Sequence, residues 1–145
     1  MSSIAGIVTK QNKNIQERVL SMLNSMKHRG PDGINYHHQD NIAIGNGLLK
    51  TDKFNHAQLP LSTPDNMMWI TFDGAIYNRL ELKQELLNKG YQFNQNCDAE
   101  IVLYGYKEWK EKVLNKLRGM FAFGIVDYNK DILFIARDHF GIKPL

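Results

Sequence analysis

The sequence predicts a layered α+β domain. Strands and one early helix come first, two helices follow, and a pair of strands closes the 145 residues, without regular βαβ alternation. The last two predicted strands, residues 120–127 and 132–137, are apolar nearly throughout, which is typical of a sheet covered on both faces. Apolar residues make up 43% of the chain and charged residues 23%, so we expect one globular domain with a buried core.

The N-terminal part predicts a strand followed by a helix. Residues 3–8 form a short apolar run, which favours a buried strand at the very start of the chain. A helix is expected to open at Asn14, because apolar residues recur at three- and four-residue steps up to Met26. Gly30-Pro31 ends this helix.

The central part predicts three strands and a long loop. Strands are expected near residues 34–38 and 41–49, and the polar, proline-containing stretch 53–66 is interpreted as a loop. Residues 67–72 predict a strand, and the dipeptide Asp73-Gly74 is a strong turn signal that should end it.

Two helices and a hairpin complete the prediction. Apolar residues on one side predict a helix over 79–89, with Gly90 at its end, and a second helix over 98–109. The last two strands are joined by a turn at 128–131. No repeat, low-complexity tract or internal linker interrupts the chain.

Composition excludes several classes of function. No apolar run approaches the ~20 residues of a membrane span, and residues 1–8 do not resemble a secretory signal. A lone cysteine, Cys97, cannot form an internal disulfide and suits a reducing cytoplasm, where we expect the protein to work; a buried structural thiol is expected there rather than a reactive one. The net charge of +3 is scattered, so nucleic acid is not an expected partner. With no phosphate-binding glycine loop and no zinc-ligand spacing, no metal or cofactor is expected.

Three motifs occur in order along the chain: His28-Arg29-Gly30-Pro31-Asp32-Gly33, Asp73-Gly74-Ala75-Ile76-Tyr77-Asn78 and Arg137-Asp138-His139-Phe140-Gly141-Ile142-Lys143-Pro144-Leu145. Through them, and through residues 117–123, the chain resembles the glutaminase domain of asparagine-synthetase-type glutamine amidotransferases, from Ser2 to Leu145. The resemblance implies a four-layer α/β/β/α sandwich of the N-terminal nucleophile hydrolase type, with mostly antiparallel sheets. Family domains continue for several tens of residues past the position of Leu145. Residues 1–145 are therefore expected to be a type 2 glutamine amidotransferase domain truncated at its C-terminus, without a synthetase domain.

The resemblance places the nucleophile at Ser2. Active family members carry a cysteine there, which attacks the glutamine side-chain amide after Met1 is removed, with the freed α-amine as base. A serine hydroxyl is far less acidic than a thiol and needs stronger activation. Two interpretations stay open, a working serine nucleophile and an inactivated site.

The implied oxyanion hole is altered at Asp73. The family pattern Asn-Gly-Glu is Asp73-Gly74-Ala75 in this chain. Gly74 keeps its backbone N–H, but an ionised Asp73 only accepts hydrogen bonds. Losing one oxyanion donor typically costs about 10²–10³ in rate. A protonated Asp73 that donates is the alternative.

Substrate recognition is altered as well. The family arginine that grips the glutamine α-carboxylate corresponds to Leu48, and Lys50 lies two residues further on the same strand face, where it could supply a point charge. Asp98 matches the family residue that holds the α-amine, and it could also cap a helix. Arg29 is expected to organise the loop beside the nucleophile. The substitutions at positions 48 and 73 predict a more negative pocket that favours amines over amino acids.

The leading hypothesis is a degenerate glutaminase domain with weak or no glutamine hydrolysis, because Ser2, Leu48 and Asp73 each replace a group that the mechanism needs. Such a domain could serve as a docking or regulatory module for a synthetase domain or subunit. The alternatives are an N-terminal serine amidase that acts on L-glutamine or another small amide, and an active fragment in which Ser2 is a deliberate substitution.

Overall fold

The computed structural model describes residues 2–10, 13–49 and 58–145. Its elements, in chain order, are β1 (Ser3–Val8), α1 (Ile15–Ser25), β2 (Ile34–Gln39), β3 (Ile42–Gly47), β4 (Leu61–Ser62), β5 (Met68–Ile76), α2 (Arg79–Asn88), α3 (Asp98–Trp109), a 3-10 helix (Lys110–Asn115), β6 (Gly119–Asp127) and β7 (Ile132–Arg137). The strands form two antiparallel sheets with the orders β1-β3-β2 and β4-β5-β6-β7. The predicted α+β class is confirmed.

The two sheets stack between helical layers because β3 and β5 carry apolar side chains on both faces. On β3, Ala43 packs with α1, while Ile44 on the opposite side packs with Val126 of the second sheet. On β5, Phe72 packs into the large cluster that includes α2 and α3. The order of layers is therefore α1, first sheet, second sheet, and α2 with α3, which is the expected α/β/β/α sandwich.

A fully buried amide ties the two sheets together. Asn46 of β3 donates from Nδ2 to the carbonyl oxygen of Phe72 at 2.9 Å, and its Oδ1 lies 2.6 Å from the Thr71 hydroxyl on β5. Its Nδ2 also lies 3.3 Å from the carbonyl oxygen of Ser3 in β1. Because a buried amide without partners is costly, these bonds fix the relative position of β1, β3 and β5.

The predicted turn at Asp73-Gly74 is wrong, because β5 runs straight through it to Ile76. All nine residues of β5 pair with β6, and this continuous pairing outweighs the local turn signal. Gly74 is required there: its φ is +156°, and a Cβ would lie 2.2 Å from the carbonyl oxygen of Met120.

The other elements agree with the prediction apart from their ends, two additions and the cover of the last strand. The sheet was expected to be covered on both faces there, but β7 is partly exposed, and 58% of Ile135 is accessible. The short strand β4 lies inside the stretch 53–66 that was interpreted as a loop, of which residues 53–57 lie outside the described residues. The 3-10 helix after α3 was not predicted. Cys97 is buried where α3 begins, and burial raises the pKa of its thiol to about 11, as expected for a structural cysteine. Within the described ranges the longest helix has 12 residues, and none could cross a bilayer.

Candidate active site

The loop after α1 is held against the end of β3 by backbone pairing. The N–H of Asp32 donates to the carbonyl oxygen of Leu48 at 2.9 Å, and the N–H of Leu48 donates to that of Gly33 at 2.8 Å. Gly30 makes this approach feasible, because a Cβ at that position would lie 2.3 Å from the backbone of Gly47. The loop therefore has a fixed position beside the start of β1.

This loop brings Arg29 to Ser2 and Asp73. Nε of Arg29 donates to the carbonyl oxygen of Ser2 at 3.4 Å, and Nη2 lies 3.7 Å from Oδ2 of Asp73. The Ser2 hydroxyl oxygen accepts from the N–H of Leu49 at 3.3 Å. Arg29 thus contacts both Ser2 and Asp73.

Asp73 is the centre of the site. Side chains two residues apart on a strand share a face, and Thr71 on β5 bonds the first sheet, so Asp73 also faces the sheet that contains β1. Its Oδ1 accepts from the backbone N–H of Ser2 at 3.1 Å and from Nζ of Lys143 at 3.2 Å. With only 8% of its side chain exposed, this carboxylate is surrounded by donors.

Lys143 reaches Asp73 because Asp138 folds the C-terminal loop. The Asp138 carboxylate accepts from the N–H groups of Phe121, Phe140, Ile142 and Lys143 at 2.9–3.2 Å. Burial alone would raise the pKa of this carboxyl, but the four donors bring it down to about 2. The loop consequently holds Lys143 in a buried position, with 6% of its side chain exposed.

A cavity of about 550 Å³ opens beside these groups, a size typical of small-molecule sites. Ser2, Arg29 and Asp73 line its polar part. Most of the remaining wall is apolar and includes Ile4, Ala5, Met22, Met26, Ile44, Leu133, Ile135 and Leu145. The predicted excess of negative charge does not arise around Asp73, because Arg29 and Lys143 offset the carboxylate.

Asp98 is not brought to this cavity. It lies at the start of α3, where its Oδ2 accepts from the N–H of Ile76 at 2.9 Å and its Oδ1 lies 3.8 Å from Nη1 of Arg79. Burial raises the pKa of the Asp98 carboxyl, against the effects of that N–H and of Arg79. Its Oδ1 is buried and has no hydrogen-bond partner within the described residues.

Three further predicted positions, Gly74, Leu48 and Lys50, contribute no charge within the described part of the site. Gly74 follows Asp73 in β5, and Leu48 packs against the large apolar cluster, so neither adds a charge to the site. Lys50 lies outside the described residues. Sequence reasoning gave no role to Lys143 or Asn46; the only signal for Lys143 was a cation between Ile142 and Pro144 in its motif.

The sequence is similar to known glutamine amidotransferase domains and asparagine synthetases. The model of a family described as a glutamine amidotransferase domain matches residues 1–145. Glutamine-hydrolyzing asparagine synthetase 1 of Bacillus subtilis (strain 168) is 45% identical over 131 residues, which cover 90% of this chain and 21% of that protein. Glutamine-hydrolyzing asparagine synthetase B of Escherichia coli (strain K12) is 33% identical over 147 residues, or 100% of this chain and 26% of that one.

The fold is similar to that of a solved amidotransferase. The glutamine phosphoribosylpyrophosphate amidotransferase from B. subtilis, complexed with ADP and GMP, superposes with a TM-score of 0.76 at 20% identity. The match covers 95% of this chain and 37% of the amidotransferase chain. The chain thus spans about a fifth to a quarter of the two synthetases it matches and over a third of this structure.

Proposed function

Because the chain belongs to the glutamine amidotransferase domain family, we propose that residues 1–145 are a glutaminase-type domain of an asparagine-synthetase-like amidotransferase that hydrolyses glutamine poorly or not at all. The observation that carries this proposal is the ion-paired carboxylate of Asp73. It lies beside the position of the nucleophile, where hydrolysis of an amide would require hydrogen-bond donors.

Asp73 is unsuited to stabilising the oxyanion that forms when an amide is attacked. Attack on an amide builds negative charge on its oxygen, which is stabilised by donors already pointing at that place. An ionised Asp73 offers acceptors only, and its Oδ1 is already bonded to Ser2 N and Lys143 Nζ. Loss of one donor typically costs about 10²–10³ in rate.

Asp73 also acts on the α-amine of Ser2, the base of the family mechanism. If Met1 is removed, Ser2 N becomes an α-amine, which must be unprotonated to accept a proton from the hydroxyl. At 3.1 Å the Asp73 carboxylate favours the protonated ammonium instead. The Ser2 hydroxyl, already less acidic than a thiol, would then lack the unprotonated α-amine that serves as its base.

Recognition of glutamine is weakened as well. Leu48 packs against the apolar core and cannot pair with an α-carboxylate. Asp98 keeps one free carboxylate oxygen, but that oxygen lies next to Arg79 and outside the lining of the Ser2 cavity. An amine held by Asp98 would therefore compete with Arg79.

The partner that we propose is a synthetase domain, either in the same protein or as a separate subunit. The curated relatives are four to five times as long as the stretch that they share with this chain. Two large apolar side chains of the loop around Asp138, Phe140 and Ile142, are 91% and 56% exposed. Such exposure beside the site suits contact with a second domain. The domain would then serve as a docking or regulatory module.

The test is glutamate release from L-glutamine, with removal of Met1 checked by intact mass. Wild type and Ser2→Cys are expected to stay at background, because Asp73 still disables the oxyanion hole and the base. Ser2→Cys/Asp73→Asn, which restores two family residues, is expected to exceed both. The matched control is Ser2→Ala/Asp73→Asn, which lacks a nucleophile.

Turnover by wild type that Ser2→Ala abolishes would reject the proposal in favour of the N-terminal serine amidase. The position of Ser2 on the wall of a 550 Å³ cavity is the observation that favours this second candidate. Strong turnover by Ser2→Cys alone would show that Asp73 is not disabling.

A further inference from the structure

We propose that Arg29, Lys143 and the backbone N–H of Ser2 form a binding site for a small carboxylate anion, and that the side chain of Asp73 fills this site from within the chain. These three groups are called the cationic cradle below. The inference does not depend on whether the chain hydrolyses glutamine, because it rests only on the geometry of the cradle.

The donors of the cradle converge on one carboxylate from three separate parts of the chain. Ser2 N and Lys143 Nζ lie 3.1 and 3.2 Å from Oδ1 of Asp73, and Arg29 Nη2 lies 3.7 Å from Oδ2. Two cations and one carboxylate leave the group with a formal charge of +1 (2 − 1). Both oxygens of a bound carboxylate would therefore meet a cation, as in carboxylate-binding sites of proteins.

The cradle is built by the fold rather than by Asp73 alone. Lys143 is held by the loop that Asp138 organises through backbone N–H groups, and Arg29 is held by the loop paired with Leu48. In the described part of the chain, Lys143 Nζ has one hydrogen-bond and ion-pair partner, Asp73. Removing the Asp73 carboxylate would leave this buried ammonium in place without a counter-charge, which favours uptake of an anion.

Access to the cradle exists on one side. Asp73, Ser2 and Arg29 all line the 550 Å³ cavity, so truncation of the Asp73 side chain to Ala opens the cradle directly to that cavity. Because Ala keeps the Cβ of Asp73, the vacated space has the size of one carboxylate group. Formate fits such a space, whereas the ring of benzoate does not.

The experiment is anion rescue of Asp73→Ala in the full chain. Thermal or urea unfolding is followed during a titration with sodium formate, and sodium chloride keeps the ionic strength constant. Asp73→Ala is expected to gain stability along a saturable curve: at about ten times the dissociation constant of formate, the folded-to-unfolded ratio rises about 11-fold. Benzoate is expected to give no such gain.

Three control proteins define the site. Wild type is expected to show no specific response, because Asp73 fills the cradle, and Asp73→Asn none, because the amide occupies the same space. Asp73→Ala/Lys143→Met, which lacks the buried ammonium, is expected to lose the response. A formate effect of equal size in all four proteins would overturn the proposal. So would an Asp73→Ala protein that is indifferent to formate, or one that stays unfolded in formate while Asp73→Asn folds.

Discussion

Replacing Lys143 by Met tests how strongly its buried pair with Asp73 holds the site together. The two charged atoms lie 3.2 Å apart, with 6% and 8% of the side chains exposed. At an effective dielectric constant of about 20, two unit charges at this distance attract by about 5 kcal/mol. Moving an ammonium out of water costs several kcal/mol, so the pair as a whole adds little net stability. Removing only one member of the pair leaves the other charge buried with fewer partners, which costs more.

The expected cost depends on what the remaining charge still contacts. Removing one member of a buried pair costs about 3–5 kcal/mol when the other is left uncompensated. Asp73 would keep Arg29 and Ser2 N, so Lys143→Met is expected to cost about 1–3 kcal/mol. Asp73→Asn leaves Lys143 without a carboxylate and is expected to cost about 2–4 kcal/mol. The double variant should cost less than the sum of the two by at least about 1 kcal/mol.

Urea unfolding of the four proteins of this cycle measures these values. The matched control is Lys116→Met, because Lys116 forms a shorter ion pair with Glu85, at 2.8 Å, whose side chains are 36% and 40% exposed. Its loss should cost no more than about 1 kcal/mol. A larger cost for Lys143→Met than for Lys116→Met would then show that burial of the ion pair, rather than the distance between its charges, determines the loss of stability. Additivity of the Lys143 and Asp73 changes within about 0.5 kcal/mol would refute the reasoning.

Three further predictions concern the surroundings of the site. Asp98→Ala should lower the free energy of unfolding in urea by about 1–3 kcal/mol, because a buried N–H of β5 loses its acceptor, whereas Asp98→Asn keeps an acceptor and should cost less. The Asp138 carboxyl has a folded pKa of about 2, below its ordinary value of 3.8, so it stabilises the fold above that value and the effect is lost as the pH falls toward 2. Circular dichroism should show this loss in acid for wild type and a flatter curve for Asp138→Asn. Gly74→Ala should cost at least about 2 kcal/mol in thermal unfolding, because its Cβ would lie 2.2 Å from the Met120 carbonyl oxygen, and Gly90→Ala, with φ +91° and open space around it, should cost less.

Elements whose sequence signal lies within a few neighbouring residues could be predicted from the sequence. Helix α1 has apolar residues such as Val19 and Leu23 at helical spacing, and both are fully buried against the first sheet. Asp73-Gly74 shows where such reasoning fails. The dipeptide has the local signature of a turn, but nine consecutive pairs with β6 keep it in a strand. A window of a few residues contains no information about pairing with a distant segment such as β6.

The site was predictable only in part for the same reason. The family resemblance drew attention to Ser2, Arg29 and Asp73, which the structure brings together. Lys143 lies 70 residues from Asp73 in the chain, so no spacing rule connects them. Asp98 was expected beside the substrate; it lies outside the lining of the cavity beside Ser2, and one of its two carboxylate oxygens accepts from the N–H of Ile76.

The two loops of the site meet at Asp73. The backbone of Leu48 pairs with the loop that holds Arg29, and Arg29 in turn contacts Asp73. A family-type Asn at position 73 would accept from Ser2 N but would leave the buried Lys143 ammonium without a counter-charge. The carboxylate therefore suits a site in which cations converge from both loops. It follows that restoring the nucleophile alone, by Ser2→Cys, leaves the electrostatics of the site unchanged, whereas Asp73→Asn changes stability and chemistry together.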